Sequence, residues 1–376
     1  MRTIAAVGVL AACLIIAGIL GAFDSTSRTL APWGAGGWQR HAPPGVTAPS
    51  SVNVYAATSI DHLSQRVAAF PARVYVPNSG AGTVDIIDPA TFTVVGHFAV
   101  GKIPHHITPS WDMSRLYVNN TGSNSLTEID PQSGRLVGAI PVIDPYNLYF
   151  TPDGSRAIVV AERYKRLDFR DPRTWNLIKS VEIPWAGVDH LDFSADGRYL
   201  LASTEYSGMV VKVDISMAVT GKAYVGGLPV DVRLAPDGSV FYVTNQGRHG
   251  VSIIDPMSMS EVGFLPTGTG AHGLVVSRDA KSLYVSNRLA GTISVLDFGP
   301  RRVRATWVIG GSPDMMQISS DGRQLWVSNR FANSVAVVDT ATGRLIWTIT
   351  VGANPHGLTY FPQPGRFSLG HNGVYR

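Results

Sequence analysis

The chain has one cysteine in 376 residues, Cys13. Nothing beyond the N-terminal segment can therefore form a disulfide or use a thiol. Charge is sparse as well: Asp, Glu, Lys and Arg supply 15% of the residues, and 31 basic against 27 acidic groups leave a net charge of +4. A nucleic-acid-binding face needs basic residues gathered on one side. The densest run here, Arg163-Tyr164-Lys165-Arg166 with Arg170 and Arg173 behind it, reads as a solvated hairpin. No nucleic-acid partner is expected. The phosphate loop, the nucleophile elbow and the paired histidines of a zinc protease are all missing. After residue 70 no stretch keeps a long 3.6-residue period, which argues against long amphipathic helices.

What the chain does contain is a repeat. Equivalent positions fall at Asn78, Asn120, Ala161, Ser203, Asn245, Asn287 and Asn329, with gaps of 42, 41, 42, 42, 42 and 42 residues. A period near 40 signals a propeller, a solenoid or an array. Within one repeat, Val230 to Leu234 leads to the turn Pro236-Asp237-Gly238. Phe241 to Asn245, Val251 to Ile254 and Glu261 to Leu265 follow. Short β-branched and aromatic runs between Gly, Pro and Asp turns read as strands. Asp-Gly pairs between such runs are hairpin signals, and they recur at Asp153-Gly154, Asp196-Gly197 and Asp321-Gly322. Each repeat is thus expected to be a four-stranded antiparallel sheet, and seven sheets make an all-β, seven-bladed β-propeller. The repeats open on a second strand, Arg73 to Pro77, and end on a first strand, His356 to Phe361. The C-terminal strand should therefore complete the N-terminal blade and close the ring. The Asp-Pro pairs at Asp88, Asp130, Asp171 and Asp255 recur as turn chemistry on the opposite face from the site described below.

The motifs Tyr75-Val76-Pro77-Asn78, Tyr117-Val118-Asn119-Asn120, Tyr242-Val243-Thr244-Asn245, Tyr284-Val285-Ser286-Asn287 and Trp326-Val327-Ser328-Asn329 carry a resemblance. The chain resembles the YVTN β-propeller repeat family over about three quarters of its length. The resemblance implies the propeller fold. It does not single out one activity, because such folds serve as surface proteins, binding scaffolds and enzymes. Blades three and four depart from the motif, with Ile158-Val159-Val160-Ala161 and Leu200-Leu201-Ala202-Ser203.

Before the repeats, Thr3 to Phe23 are 21 uncharged, mostly apolar residues. That length spans a bilayer as a helix. An uncleaved anchor, a cleaved signal peptide and a lipoprotein box at Leu10-Ala11-Ala12-Cys13 remain alternatives, and all three export the propeller. The expected organisation is an anchor or signal over 1–23, a Pro/Gly/Ser-rich tether over 24–70, the propeller over 71–362 and a tail over 363–376. Trp33 and Trp38 are placed either against the propeller or at the membrane surface, and Ser59 to Ala69 as one short helix. The propeller is expected to be a monomer on the extracytoplasmic side.

The turns entering the seven innermost strands carry the chemistry. They read Pro104-His105-His106-Ile107, Pro145-Tyr146-Asn147-Leu148, Val188-Asp189-His190-Leu191, Pro229-Val230-Asp231-Val232, Ala271-His272-Gly273-Leu274, Pro313-Asp314-Met315-Met316 and Pro355-His356-Gly357-Leu358. Two columns of 14 residues hold five histidines, where composition alone places about 0.4. All seven turns open on one face of the disc, so His105, His106, His190, His272 and His356 should converge on an axial mouth. Convergent imidazoles without thiolates suit copper, iron or zinc. Tyr146, Asp189 and Asp231 stand in the same columns as candidate contacts to a bound cofactor. Asp314 is a candidate acid–base group. Arg288 and Arg330 reach the same mouth from the ends of the second strands, either to hold a carboxylate or phosphate or to pair with the aspartates.

Pro355-His356-Gly357-Leu358 and Ala271-His272-Gly273-Leu274 also resemble the inner-strand turns of streptogramin lyases, which implies a histidine acting as general base. In plan, carotenoid oxygenases and methanethiol oxidases place metals on the same axis. The expectation is a metal-holding axial site, in an oxidoreductase or lyase acting on a small anionic or aromatic molecule. The alternative is a non-catalytic platform for envelope proteins or ligands. The tail from Gln363 to Arg376 leaves on the face opposite the mouth, so His371 would reach the site only by threading back.

Overall fold

A computed structural model describes residues 53–376. Thirty strands form seven sheets, six of four strands and one of six, arranged as a seven-bladed propeller. Every neighbouring pair within a blade is antiparallel, and each Asp-Gly or Asp-Pro signal falls at a turn. Asp153 accepts the Ser155 N–H at 3.0 Å, and Asp88 accepts the Ala90 N–H at 2.9 Å. The ring closes as expected. The final inner strand, Thr359–Phe361, pairs with Arg73 to Tyr75 and completes the first blade.

The cores lie in the seams between blades. Innermost strands such as Pro104–Pro109, Val188–Phe193 and Pro229–Leu234 are buried at every position, whereas outer strands such as Arg302–Val308 alternate between exposed and half-buried. Trp326, the largest fully buried side chain, fills the seam between the last and first blades with Val74, Val76 and Leu358. The repeated asparagine ties strand two to strand three: Asn287 donates to Thr292 and Ser294, both at 3.0 Å. In blade four the equivalent position is Thr204, which pairs with Met209 as Asn245 pairs with Gly250. The structural repeat there is therefore offset by one from Ser203.

The two ends of the described chain depart from what the sequence predicts. Residues 53–70, assigned to the tether, lie against the propeller. The Val54 N–H donates to Pro236 O, the Tyr55 hydroxyl donates to Leu234 O at 2.8 Å, and Val67 is fully buried. A single 3-10 turn, Ala56–Thr58, replaces the helix expected from Ser59 to Ala69. Apolar anchors such as Tyr55 and Val67 outweigh the loop-like composition around them. Among the described residues no helix is long and apolar enough to cross a membrane. The expected anchor at Thr3 to Phe23, with Trp33 and Trp38, lies outside the described residues.

The tail does not leave the disc. Short strands Ser368–Gly370 and Val374–Tyr375 form a hairpin inserted along the axis, where Gly370 pairs with Tyr149 of the third blade. Every residue from Ser368 to Arg376 is buried. Gly370 adopts a positive φ of 94°, and a Cβ there would strike the Leu148 carbonyl and the Tyr149 backbone. Only glycine tolerates both the conformation and the approach.

Candidate functional site

A backbone irregularity positions the site. At the start of the inner strands the pairing register shifts between Pro104 and Ile107, Val188 and Leu191, Pro229 and Val232, Ala271 and Leu274, and Pro313 and Met316. The residues inside these bulges include His105, His106, Asp189, His190, Asp231, His272 and Asp314. Bulges re-aim side chains next to functional sites. A column of hydroxyls fixes them. Thr244 accepts the Asp231 N–H at 2.8 Å and Ser286 accepts the Gly273 N–H at 2.7 Å. Thr244 in turn donates to His272 O, and Ser286 to Asp314 O, in the next blade. The bulges at Asp231 and His272 are thus pinned to their own blade and to the next.

The histidines converge as the sequence predicts. Ring centroids lie 4.1 Å apart for His105 and His356, 4.8 Å for His106 and His356, and 5.2 Å for His106 and His190. Tyr146 sits 4.5 Å from His105. His371, at the tip of the tail hairpin, is 5.0 Å from His106 and 4.7 Å from His190. The repeat pattern argues against His371, because the last inner strand exits on the far face. The hairpin threads back up the axis and overturns that expectation. The signal for this in the sequence is a short tail without acidic residues, carrying Phe367, Leu369, Val374 and Tyr375.

Among the described residues, two trios bring three imidazole nitrogens within 4.8 Å of one another: His105, His106 and His356, and His106, His190 and His371. His272 belongs to neither. It faces the Asp314 carboxylate through Nδ1 at 3.0 Å and accepts from Arg288 through Nε2. Asp314 is the hub of this side of the mouth. It takes the His356 Nδ1 at 2.7 Å and the Arg288 guanidinium, with Arg330 Nη1 3.6 Å away. Of the two readings open for the arginines, pairing with an aspartate therefore holds for Arg288. Its remaining reach goes to Gln246. Arg330 is partly exposed and only loosely engaged.

Asp231 is committed elsewhere. Its oxygens accept the Val232 and Leu274 N–H groups at 2.8 Å, and Arg233 approaches at 3.3 Å. Asp189 contrasts with it. The carboxylate lies 2.7 Å from His190 Nδ1 but out of line for a hydrogen bond, and neither oxygen has a partner. Of the basic run, Arg163, Tyr164 and Lys165 are exposed, while Arg170 is buried beside Asp168.

Burial sets the protonation states. It lowers the pKa of His190 and His272 to about 4 and that of His356 to about 3. His105, His106 and His371 are also pushed well below the ordinary imidazole range by burial. The same burial raises Asp189 well above the carboxylate range, and lifts Glu162 and Glu205 at the rim to about 8. Burial opposes ionisation of Asp314 too, but Arg288, His356 and His272 outweigh it and hold its pKa well below the usual value. The site is a group of neutral imidazoles flanked by one ionised and one neutral aspartate. His105 Nδ1, His106 Nε2 and both nitrogens of His190 are buried without hydrogen-bond partners. Neutral imidazoles with free nitrogens are the form that binds metals.

Fold and site together define a seven-bladed propeller with a buried cluster of histidines on its axis. The chain belongs to the YNCE-like beta-propeller family, whose model matches residues 45–364. No curated protein matches it. Similar solved structures include hydrazine synthase from Kuenenia stuttgartiensis, at 18% identity and TM-score 0.60 over 68% of this chain and 88% of that one. A functionally unknown protein from Desulfotomaculum acetoxidans matches at 16% identity and TM-score 0.66, over 77% and 98%. The dihydro-heme d1 dehydrogenase NirN, in complex with DHE, matches at 17% identity and TM-score 0.61, over 85% and 83%. At these identities the likeness is one of fold.

Proposed function

We propose that the axial histidine cluster holds a transition metal, copper, iron or zinc, and that this exported protein is an oxidoreductase or lyase for a small anionic or aromatic molecule. The observation that carries this reading is the set of buried imidazole nitrogens left without partners. Orphaned buried polar atoms are costly, and native structures keep them where a ligand or function compensates. Nitrogen donors without thiolate fit those three metals. A bound ion would act as a Lewis acid or an electron-transfer centre.

The remaining groups suit such a centre. Asp314 accepts the Nδ1 proton of His356 and so leaves Nε2 as that ring's lone-pair nitrogen, as carboxylates commonly orient ligand or base histidines. Arg330, only loosely held, can draw an anionic group to the mouth. Tyr146 offers an aromatic wall beside His105. Export rests on the apolar segment at Thr3 to Phe23.

The test is metal analysis by plasma mass spectrometry of untagged full-length protein, after loading with copper, iron and zinc in turn, beside a His106→Ala/His190→Ala variant. Near-stoichiometric metal, lost in the variant, supports the reading. Stoichiometry far below one with every metal refutes it and leaves a non-catalytic envelope platform.

A further inference from the structure

We infer that the C-terminal hairpin completes the metal site: His371 is the third ligand beside His106 and His190, so the metal is held between the propeller and its own tail. This rests on the metal reading above and adds which trio binds and what closes it.

The tail is built to deliver this ring. His371 sits at the hairpin tip with φ of 53°, an unusual conformation for a non-glycine residue. Its ring stacks on Tyr149 at an interplanar angle of 3°, and its N–H donates to Leu148 O at 2.7 Å. The next residue, Asn372, bonds His106 Nδ1 at 2.9 Å, which leaves His106 Nε2 free. The Asn372 carbonyl accepts from Thr359 and Gln317 at 2.9 and 2.8 Å. Behind the tip, Arg376 donates to both oxygens of Asp192 at 2.9 Å, and Tyr55 covers the guanidinium at 4.4 Å. Without the tail, this end of the cluster keeps only two imidazoles, His106 and His190.

The geometry is near what an ion requires. Three nitrogens at most 4.8 Å apart lie within about 2.8 Å of their centre, so each need move no more than about 0.7 Å to reach the 2.0–2.1 Å of a metal–imidazole bond. Ligation through Nε2 places the His371 proton on Nδ1. Nε2 then exchanges its 3.3 Å contact with Asn372 Nδ2 for the ion, and Asn147, 2.9 Å from Nδ1, must turn its carboxamide oxygen to that proton and away from the Leu148 N–H, which it accepts at 2.9 Å. The mouth trio of His105, His106 and His356 contains no tail residue, so the two sites are separable by mutation.

The experiment titrates full-length protein with Co2+, following its ligand-field absorption, in the wild type and in His371→Ala, His371→Gln and His356→Ala variants. Thermal unfolding of each variant reports folding. Groups that only orient a ligand histidine are worth about 10–100-fold in affinity, so losing a ligand itself should weaken binding by about 100-fold or more in both His371 variants and only slightly in His356→Ala. Unchanged binding in His371→Gln, or the larger loss in His356→Ala, overturns the inference while leaving the metal reading standing. A wild type that binds neither Co2+ nor, in the loading test above, copper, iron or zinc refutes both.

A second readout needs no mutation. Bound metal should slow carboxypeptidase release of Arg376 from the wild type by roughly the ratio of free metal to Kd, because cleavage needs the tail undocked. Equal release rates with and without bound Co2+ also overturn the inference.

Discussion

Asp192 is the sharpest test of how the tail is held. Its carboxylate takes Arg376 Nη2 at 2.9 Å on both oxygens, and also accepts the Phe193 and Leu234 N–H groups at 2.8 Å. Both side chains are almost wholly buried, at 1% and 9% exposure. Asp192→Ala would strand a buried guanidinium, an event that costs about 3–5 kcal/mol when one partner of a buried pair is removed. It also leaves two N–H groups unpaired, so the loss should reach at least about 4 kcal/mol, a large part of a typical domain's 5–15 kcal/mol. Arg376→Met is gentler, because Asp192 keeps both backbone donors; about 1.5–3 kcal/mol is expected for the charged hydrogen bonds lost. The double variant should recover part of the Asp192→Ala loss, since no charge is then stranded. Urea unfolding at pH 7 measures each value, and carboxypeptidase sensitivity reports whether the hairpin leaves before the disc unfolds. If Asp192→Ala costs under about 1 kcal/mol and leaves the tail resistant, the ion pair does not lock the hairpin.

Three further outcomes follow from the same structure. Gly357→Ala would put a Cβ into His106 Nδ1 and Asn372 Oδ1; overpacking of about 1–3 kcal/mol and weakened metal binding are expected, and calorimetry with wild-type values would count against so close an approach of strand and tail tip. Asp314→Asn removes the charge facing Arg288, so unfolding should lose about 3–5 kcal/mol, partly restored by adding Arg288→Met; no restoration would deny their coupling. In metal-free protein, stability should peak near pH 6.5, the ordinary pKa of histidine. Below it, unfolded histidines take up protons while His190, His272 and His356 stay neutral in the fold, so stability present above their ordinary pKa is lost as pH falls toward 4. Glu162 and Glu205 stay protonated in the fold but ionise when unfolded from about 4.5 upward, so their stability is lost as pH rises from there to about 8, partly offsetting the histidines below pH 6.5 and prevailing above it. Each unmatched proton is worth about 1.4 kcal/mol per pH unit, and a melting temperature that is flat from about pH 4.5 to 8.5 would contradict these assignments.

The repeat is legible because it is local. Asp-Gly and Asp-Pro turns and β-branched runs recur every 42 residues or so, and each blade forms from contacts within its own stretch of chain. Ring closure by Thr359–Phe361 follows from the phase of the repeat at its two ends. The convergence of His105, His106, His190 and His356 is readable for the same reason, since equivalent positions in a closed ring must face one axis.

What the repeat cannot encode is decided by tertiary structure. Asp231 and Asp189 occupy the same turn region in neighbouring blades, yet the first is consumed by Arg233 and two N–H groups and the second is left unpartnered. His272 is drawn to Asp314 and Arg288 instead of joining a trio. The path of the tail is decided by long-range fit: Gly370 against Tyr149, Asn372 against His106 and Arg376 against Asp192. Periodicity fixes which side chains point inward, because it acts through neighbours in the chain. Which of them stay free for a ligand depends on partners up to 266 residues away, and only the folded ring brings those together.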